Sequence, residues 1–69
     1  MWWDEVCPGE WRSKAGTVQR DGLGRIALDA PGEPRIYPFE TVEIAMEFAE
    51  IMARDGRDAA AENYIKETT

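Results

Sequence analysis

Residues 35–56 read RIYPFETVEIAMEFAEIMARDG, and the hydrophobic period changes within this stretch. Up to Phe39 the apolar residues are typical of a short strand, and Pro38 marks an edge strand or the end of one. After Thr41 the apolar residues recur at the three- and four-residue spacing of an amphipathic helix. We therefore expect a strand to end here and a helix to follow it.

Local signals mark both ends of this helix. Thr41 is a suitable N-cap, because its side-chain oxygen can accept a hydrogen bond from a free backbone N–H. Gly56 is suited to end the helix, because glycine adopts the left-handed cap conformation without steric penalty. Beyond it, Asp58 is expected to cap a second, shorter helix over residues 59–67.

Turn signals upstream divide the rest of the chain into short strands. Asp21-Gly22 supplies the positive φ values of a tight hairpin, and Pro31-Gly32 suits the centre of a type II turn. Gly16 lies inside the first strand and is interpreted as a bulge. The predicted strands cover residues 11–19, 25–28 and 35–39.

The order of elements predicts the α+β class. We expect a three-stranded antiparallel β-meander followed by two helices packed on one face, all within a single domain, residues 1–69. Its parts are an irregular N-terminal segment at 1–10, the meander at 11–39 and a helical part at 41–67.

The small size of the chain points to association with another protein. A domain of 69 residues has a thin core and usually needs a disulfide, a metal or a partner to stabilise it. Cys7 is the only cysteine and there is no histidine, which excludes an internal disulfide and a zinc site of Cys and His ligands. Binding to a partner, or to a second copy, is the remaining source of stability.

The net charge and the N-terminal sequence indicate the location of the protein and the classes of partner that it is not expected to bind. The net charge is −6, which disfavours direct binding to nucleic acid or to an anionic membrane and favours a basic protein surface. No apolar run approaches the about 20 residues of a membrane span, and Met1-Trp2-Trp3-Asp4-Glu5 lacks the basic start of a signal peptide. With Cys7 unpaired, these features predict a cytoplasmic protein.

The sequence offers little catalytic chemistry. Histidine, the commonest general base, is absent, and Ser13 is the only serine. Gly22-Leu23-Gly24 is too short for a phosphate-binding loop and is explained as part of a hairpin turn. We therefore predict that the protein is not an enzyme, with no catalytic residues, no cofactor and no metal site.

Four glutamates form a candidate partner-binding site on the first helix. Their spacings of three, four and three residues place them within one stripe, which we call the acidic stripe: Glu40, Glu43, Glu47 and Glu50. Residues 36–69 hold eight acidic and three basic side chains, so their net charge is −5. One of the three basic residues, Arg54, is placed to pair with Glu50. A solvated face and a docking surface for a cationic groove both remain open as interpretations.

The N-terminal tryptophans are the second candidate for partner binding. Trp2 and Trp3 are adjacent, so they cannot both face inward from an extended segment. One of them is expected to be exposed as an interface anchor, unless the segment folds back over the core. Ile44 and Ile51, at the margin of the helix core face, favour the alternative of an accessory subunit or homodimer that uses its aromatic and apolar surface.

The acidic stripe, the short acidic chain and the β-meander together resemble the inhibitors that phages encode against bacterial defence, notably the anti-CRISPR proteins. This resemblance implies a protein that works in the cytoplasm of the host cell without catalytic residues. It implies binding to a Cas subunit or surveillance complex, and a block of target DNA by a nucleic-acid mimic that occupies the basic channel.

Overall fold

The computed structural model describes residues 3–68, which form five strands and two helices. The strands form one antiparallel sheet in which each strand lies beside the next one in the chain, so the protein belongs to the α+β class. The elements are β1 (Asp4–Cys7), β2 (Glu10–Ser13), β3 (Gly16–Arg20), β4 (Ile26–Asp29), β5 (Ile36–Phe39), α1 (Val42–Asp55) and α2 (Arg57–Thr68).

The predicted three-stranded meander was wrong in its number of strands. The run predicted as one strand from residue 11 to 19 folds as the β2–β3 hairpin, in which Ser13 pairs with Gly16. The Ser13 hydroxyl accepts a hydrogen bond from the backbone N–H of Ala15 at 3.0 Å and closes the turn. Strand β1 lies in the segment predicted to be irregular. All four of its residues are exposed, so it lacks the apolar alternation that identifies a strand.

The core lies between α1 and one face of the sheet. Val18 and Leu28, on the neighbouring strands β3 and β4, are fully buried there. The helix contributes Val42, Ala45, Phe48 and Ala49, which share the face that helical spacing predicted. Burial of this face is the main stabilising contribution, since apolar area removed from water contributes about 25 cal/mol per Å².

The second helix packs mainly on the first one rather than on the sheet. Ala60 is buried in the contact between the helices, where its small side chain allows close approach. Tyr64 extends past α1 and packs edge-on against Phe39 at 5.7 Å and Phe48 at 6.1 Å between ring centroids. The expectation that both helices pack on one face holds directly for α1, whereas α2 reaches the sheet through Tyr64.

The opposite face of the sheet, which we call the open face, is polar. Glu10 lies opposite Gln19, and Gln19 lies opposite Ala27. The Glu10 carboxylate accepts hydrogen bonds from Arg12 at 2.7 Å and from Gln19 at 3.2 Å. Arg35 continues this network by donating two hydrogen bonds of 2.9 Å to Asp29. The sheet therefore has one apolar and one polar face.

Candidate functional site

The acidic stripe begins at the N-terminus of α1. The Thr41 hydroxyl accepts a hydrogen bond from the backbone N–H of Ile44 at 3.1 Å, which confirms Thr41 as the N-cap. Glu40 precedes this cap, and Glu43 lies in the first turn, where the positive end of the helix dipole stabilises a carboxylate. The stripe therefore begins where negative charge is most easily tolerated.

Neutral groups, not cations, contact the carboxylates of the stripe. Glu40 accepts hydrogen bonds from the hydroxyl of Tyr64 at 2.9 and 3.1 Å. Glu47 Oε1 accepts one from Asn63 Nδ2 at 3.0 Å, and Glu50 Oε2 accepts one from the indole N–H of Trp3 at 2.8 Å. These contacts orient three carboxylates and bring no positive charge to them.

Within residues 3–68, no arginine or lysine forms a salt bridge with the stripe. The predicted pair between Arg54 and Glu50 was wrong, because Arg54 Nε binds the neighbouring Asp55 at 2.8 Å. The carboxylate of Glu43 is exposed and has no polar partner in the same part of the chain. The stripe is therefore not neutralised by the cations of the described chain.

A fifth glutamate, which the sequence reasoning missed, joins the stripe from the second helix. Asn63 Nδ2 lies 3.0 Å from Glu47 Oε1 and 3.4 Å from Glu67 Oε1, so one amide group holds two carboxyl groups together. The signal in the sequence was the four-residue spacing of Asn63 and Glu67 on α2. We call the resulting two-helix region the acidic surface; it consists of Glu40, Glu43, Glu47, Glu50 and Glu67.

The electrostatics of the acidic surface reflect crowded negative charge. A hydrogen bond with Glu47 raises the pKa of Glu67, and partial desolvation and the charge of Glu47 act in the same direction. The carboxylate of Glu40 likewise raises the pKa of the Tyr64 hydroxyl, since it accepts that proton in a hydrogen bond. A cationic partner would relieve this crowding.

The predicted tryptophan site is described only in part. Trp3 is half-buried and packs against the hydrophobic core, so the N-terminal segment folds back as the alternative interpretation expected. Its N–H bond to Glu50 brings together two of the residues predicted for partner binding. Trp2 lies outside the described residues.

The residues that favoured a homodimer are partly covered. Ile44 and Ile51 are half-buried and pack against the core. Among residues 3–68, the large apolar side chains that are exposed lie on four different parts of the chain: Val6, Leu23, Tyr37 and Ile65. They are spread over β1, the β3–β4 turn, β5 and α2.

The remaining reactive groups are scattered. Cys7 is exposed, and its Sγ lies 3.8 Å from Glu10 Oε1. The described part of the chain contains no group of three or more Cys, Asp or Glu side chains arranged to hold a metal ion. Neither α1 nor α2 has the length and apolar composition to cross a bilayer.

Comparison of the chain with protein families, with curated proteins and with solved structures finds no match.

Proposed function

We propose that the protein is an inhibitor that docks its acidic surface on a basic, nucleic-acid-binding protein and keeps nucleic acid from that site. In the form that the anti-CRISPR resemblance implies, the partner is a Cas subunit or complex in the host cytoplasm. The observation that carries the proposal is the lack of salt bridges to the acidic surface within residues 3–68. The activity requires binding alone and no catalytic residue, cofactor or metal.

The spacing of the carboxylates fits a groove that binds nucleic acid. Neighbouring positions of the stripe are about 5–6 Å apart on the helix surface. From Glu43 to Glu50 the helix rises about 10 Å, since each residue adds about 1.5 Å. A groove whose lysines and arginines neutralise a row of phosphates can meet this row of carboxylates with the same side chains.

The contacts within the protein also prepare the surface for binding. Tyr64, Asn63 and Trp3 restrict three carboxylates before any partner arrives, which lowers the entropy lost on docking. An ionised carboxylate has about four acceptor positions, so each one can still accept hydrogen bonds from an arginine. Tyr64 is itself held by the rings of Phe39 and Phe48, which links the surface to the core.

Competition with DNA tests this function. Binding of target DNA to purified Cas effector complexes is measured with added wild-type protein, with Glu43→Gln/Glu47→Gln/Glu50→Gln and with a matched control. The control, Glu5→Gln/Glu33→Gln/Asp58→Asn, removes the same charge from two exposed positions and one half-buried position outside the acidic surface. We expect the wild type and the control to inhibit, and the stripe variant to be weaker by about tenfold or more.

Salt provides a second readout in the same assay. Inhibition by the wild type should weaken steeply as the salt concentration rises, because charges are screened over about 8 Å at physiological ionic strength. Equal inhibition by the stripe variant and the control would show that the acidic surface is not the docking site. No inhibition of any nucleic-acid-binding protein tested would count against the function itself.

The alternative function is an accessory subunit or homodimer that uses aromatic and apolar surface. The observation that favours it is the exposure of Ile65 on α2, at 62%, and of Val6 on the edge strand, at 49%. Sedimentation velocity over a range of concentrations distinguishes the two. A dimer that Ile65→Ser dissociates would support the alternative, and a monomer at every concentration would contradict the homodimer.

A further inference from the structure

A groove of about 410 Å³ lies at one end of the molecule, between the sheet and the helices, and is separate from the acidic surface. Three segments that are distant in the sequence form it: the β2–β3 turn, the loop between β4 and β5, and the junction of α1 with α2. No residue of the acidic surface lines it. Its volume falls within the about 300–1,000 Å³ typical of small-molecule sites.

Small apolar side chains form much of the groove lining. Ala15 and Ala30 come from the two loops, and Met52 and Ala53 come from the last turns of α1. Alanines leave room where longer side chains would meet and close the space. Met52 is half-buried, and its thioether adapts readily to an apolar ligand.

The walls of the groove are fixed by close backbone contacts. Gly16 has a φ of +142°, and a Cβ atom there would lie 2.5 Å from the carbonyl oxygen of Asp29, so the start of β3 and the end of β4 are in close contact beside the groove. The backbone N–H of Glu33 donates to Ala30 at 3.1 Å, and that of Gly56 donates to Met52 at 3.0 Å. These contacts fix the backbone of the segments that line the groove.

Two cations without partners line the groove. Elsewhere in the described chain, five cations pair with carboxylates: Arg12, Arg25, Arg35, Arg54 and Lys66. Arg20 lies over the ring of Trp11, with its Cζ 5.9 Å from the ring centroid. Lys14 and Arg57 have no ion pair within residues 3–68, and both line this groove. A site with an apolar lining and free positive charge is complementary to an apolar anion.

We propose that this groove binds a small apolar monocarboxylate, such as a medium-chain fatty acid. The hydrocarbon part would lie on Met52 and Ala53, where contact removes apolar area from water, with the buried Ala15 and Ala30 beneath it. Arg57 can bind a carboxylate through two parallel N–H groups, and Lys14 adds a point charge. Glu33 also lines the groove and would repel a second negative charge, which favours a monocarboxylate over a dicarboxylate.

Titration with octanoate, followed by ¹H–¹⁵N correlation NMR of the full chain, tests the site. Octan-1-ol has the same carbon chain without the charge and serves as the matched ligand. We expect saturable, millimolar binding of octanoate, with shifts confined to residues 14–16, 30–33 and 52–57. Octan-1-ol should bind about tenfold more weakly, because it cannot form charge-assisted hydrogen bonds with the two cations.

Three variants with substitutions at exposed positions test separately the charge of the groove and the space within it. Lys14→Gln/Arg57→Gln should weaken octanoate about tenfold and leave octan-1-ol unchanged, whereas Arg25→Gln/Lys66→Gln removes two cations outside the groove and should change neither. Ala53→Leu, at an exposed helix position, should fill the groove and abolish binding of both ligands.

The outcomes that overturn the proposal are distinct. Equal affinity for octanoate and octan-1-ol would show that Lys14 and Arg57 do not contribute to binding. Chemical shift changes that do not saturate, or that map to other residues, would show that the groove is not a binding site. Because no residue of the acidic surface takes part, either result leaves the proposed inhibitor function unaffected.

Discussion

The open face of the sheet and the acidic surface of the helices are both charged, but only the sheet pairs its charges. Glu10 binds Arg12 at 2.7 Å, and Asp29 accepts two bonds from Arg35 at 2.9 Å. On the helices Glu47 and Glu67 share the amide of Asn63. The charges of the open face are therefore balanced within the protein, whereas the carboxylates of the acidic surface have no cation beside them.

The pKa shifts on the two regions have opposite directions. On the sheet side, hydrogen bonds from Gln19 and Arg12 lower the pKa of Glu10, and the backbone N–H of Arg25 lowers that of Asp21. On the helices the pKa of Glu67 is raised, first by its hydrogen bond with Glu47. The fold therefore stabilises the ionised forms of Glu10 and Asp21 on the sheet side and disfavours the ionised form of Glu67 on the helices.

The largest effect is expected from the core that lies beneath the acidic surface. Phe48 packs on Phe39 at 5.4 Å between centroids and supports Tyr64. Phe48→Ala should cost about 3–5 kcal/mol. That is comparable to the whole stability of a domain this small, so urea denaturation followed by circular dichroism should show a largely unfolded chain. Phe48→Leu should stay folded; full stability of the alanine variant would show that the core does not support the surfaces as described.

The same substitution at two positions should have opposite effects. Glu10→Gln removes a carboxylate that binds Arg12, so its melting temperature should fall. Glu47→Gln keeps an oxygen that can accept from Asn63 and removes repulsion with Glu67, so its melting temperature should rise by about 1–3 °C. Differential scanning calorimetry measures both, and shifts of the same sign would contradict the difference between the two regions.

The smallest effect is a change of stability with pH. Because the folded pKa of Glu67 is raised, stability should increase as the pH falls towards its usual value of 4.5. The lowered pKa values of Glu10 and Asp21 act in the other direction. Their contribution is present above the usual values of 4.5 and 3.8, and is lost as the pH falls through their folded pKa values.

Urea midpoints measured between neutral and strongly acidic pH should therefore rise slightly and then fall. Glu67→Gln should abolish the rise and keep the acidic loss, whereas Glu10→Gln should keep the rise and reduce the loss. If the urea midpoint of Glu67→Gln still rises as the pH falls, the rise is caused by other carboxylates.

Much of the fold follows from short-range signals in the sequence. The N-cap bond spans Thr41 to Ile44, and Gly56 ends α1 with a φ of +98°. The turn at Asp21 is closed by its own carboxylate, which accepts from the backbone N–H groups of Leu23 and Arg25. The N-cap of α1, its end at Gly56 and its core face could be predicted because each depends on residues a few positions apart.

Two other local predictions were wrong. The second helix begins at Arg57, so Asp58 lies in its first turn and does not cap it, and the positive φ of the turn after β3 is at Gly24 and not at Asp21-Gly22.

The missed strands show where local patterns fail. Gly16 was interpreted as a bulge because glycine within a strand usually marks one. Gly16 instead begins β3, where its backbone lies so close to the carbonyl oxygen of Asp29 at the end of β4 that a Cβ atom would not fit, and this pairing is not visible in the local sequence around Gly16. Strand β1 was missed because it pairs along one edge while its side chains stay exposed, so pairing rather than burial defines it.

The sequence by itself determined the α+β class, both helices and the row of four glutamates, because these depend on spacing along one chain segment. Only the tertiary structure decided which groups surround that row. Glu50 meets Trp3 across 47 positions, Glu47 meets Asn63 across 16, and Arg54 binds its neighbour instead of the row. Such pairings depend on how α2 and the N-terminal segment pack on α1, and packing brings together residues whose separation in the sequence carries no sign of their contact.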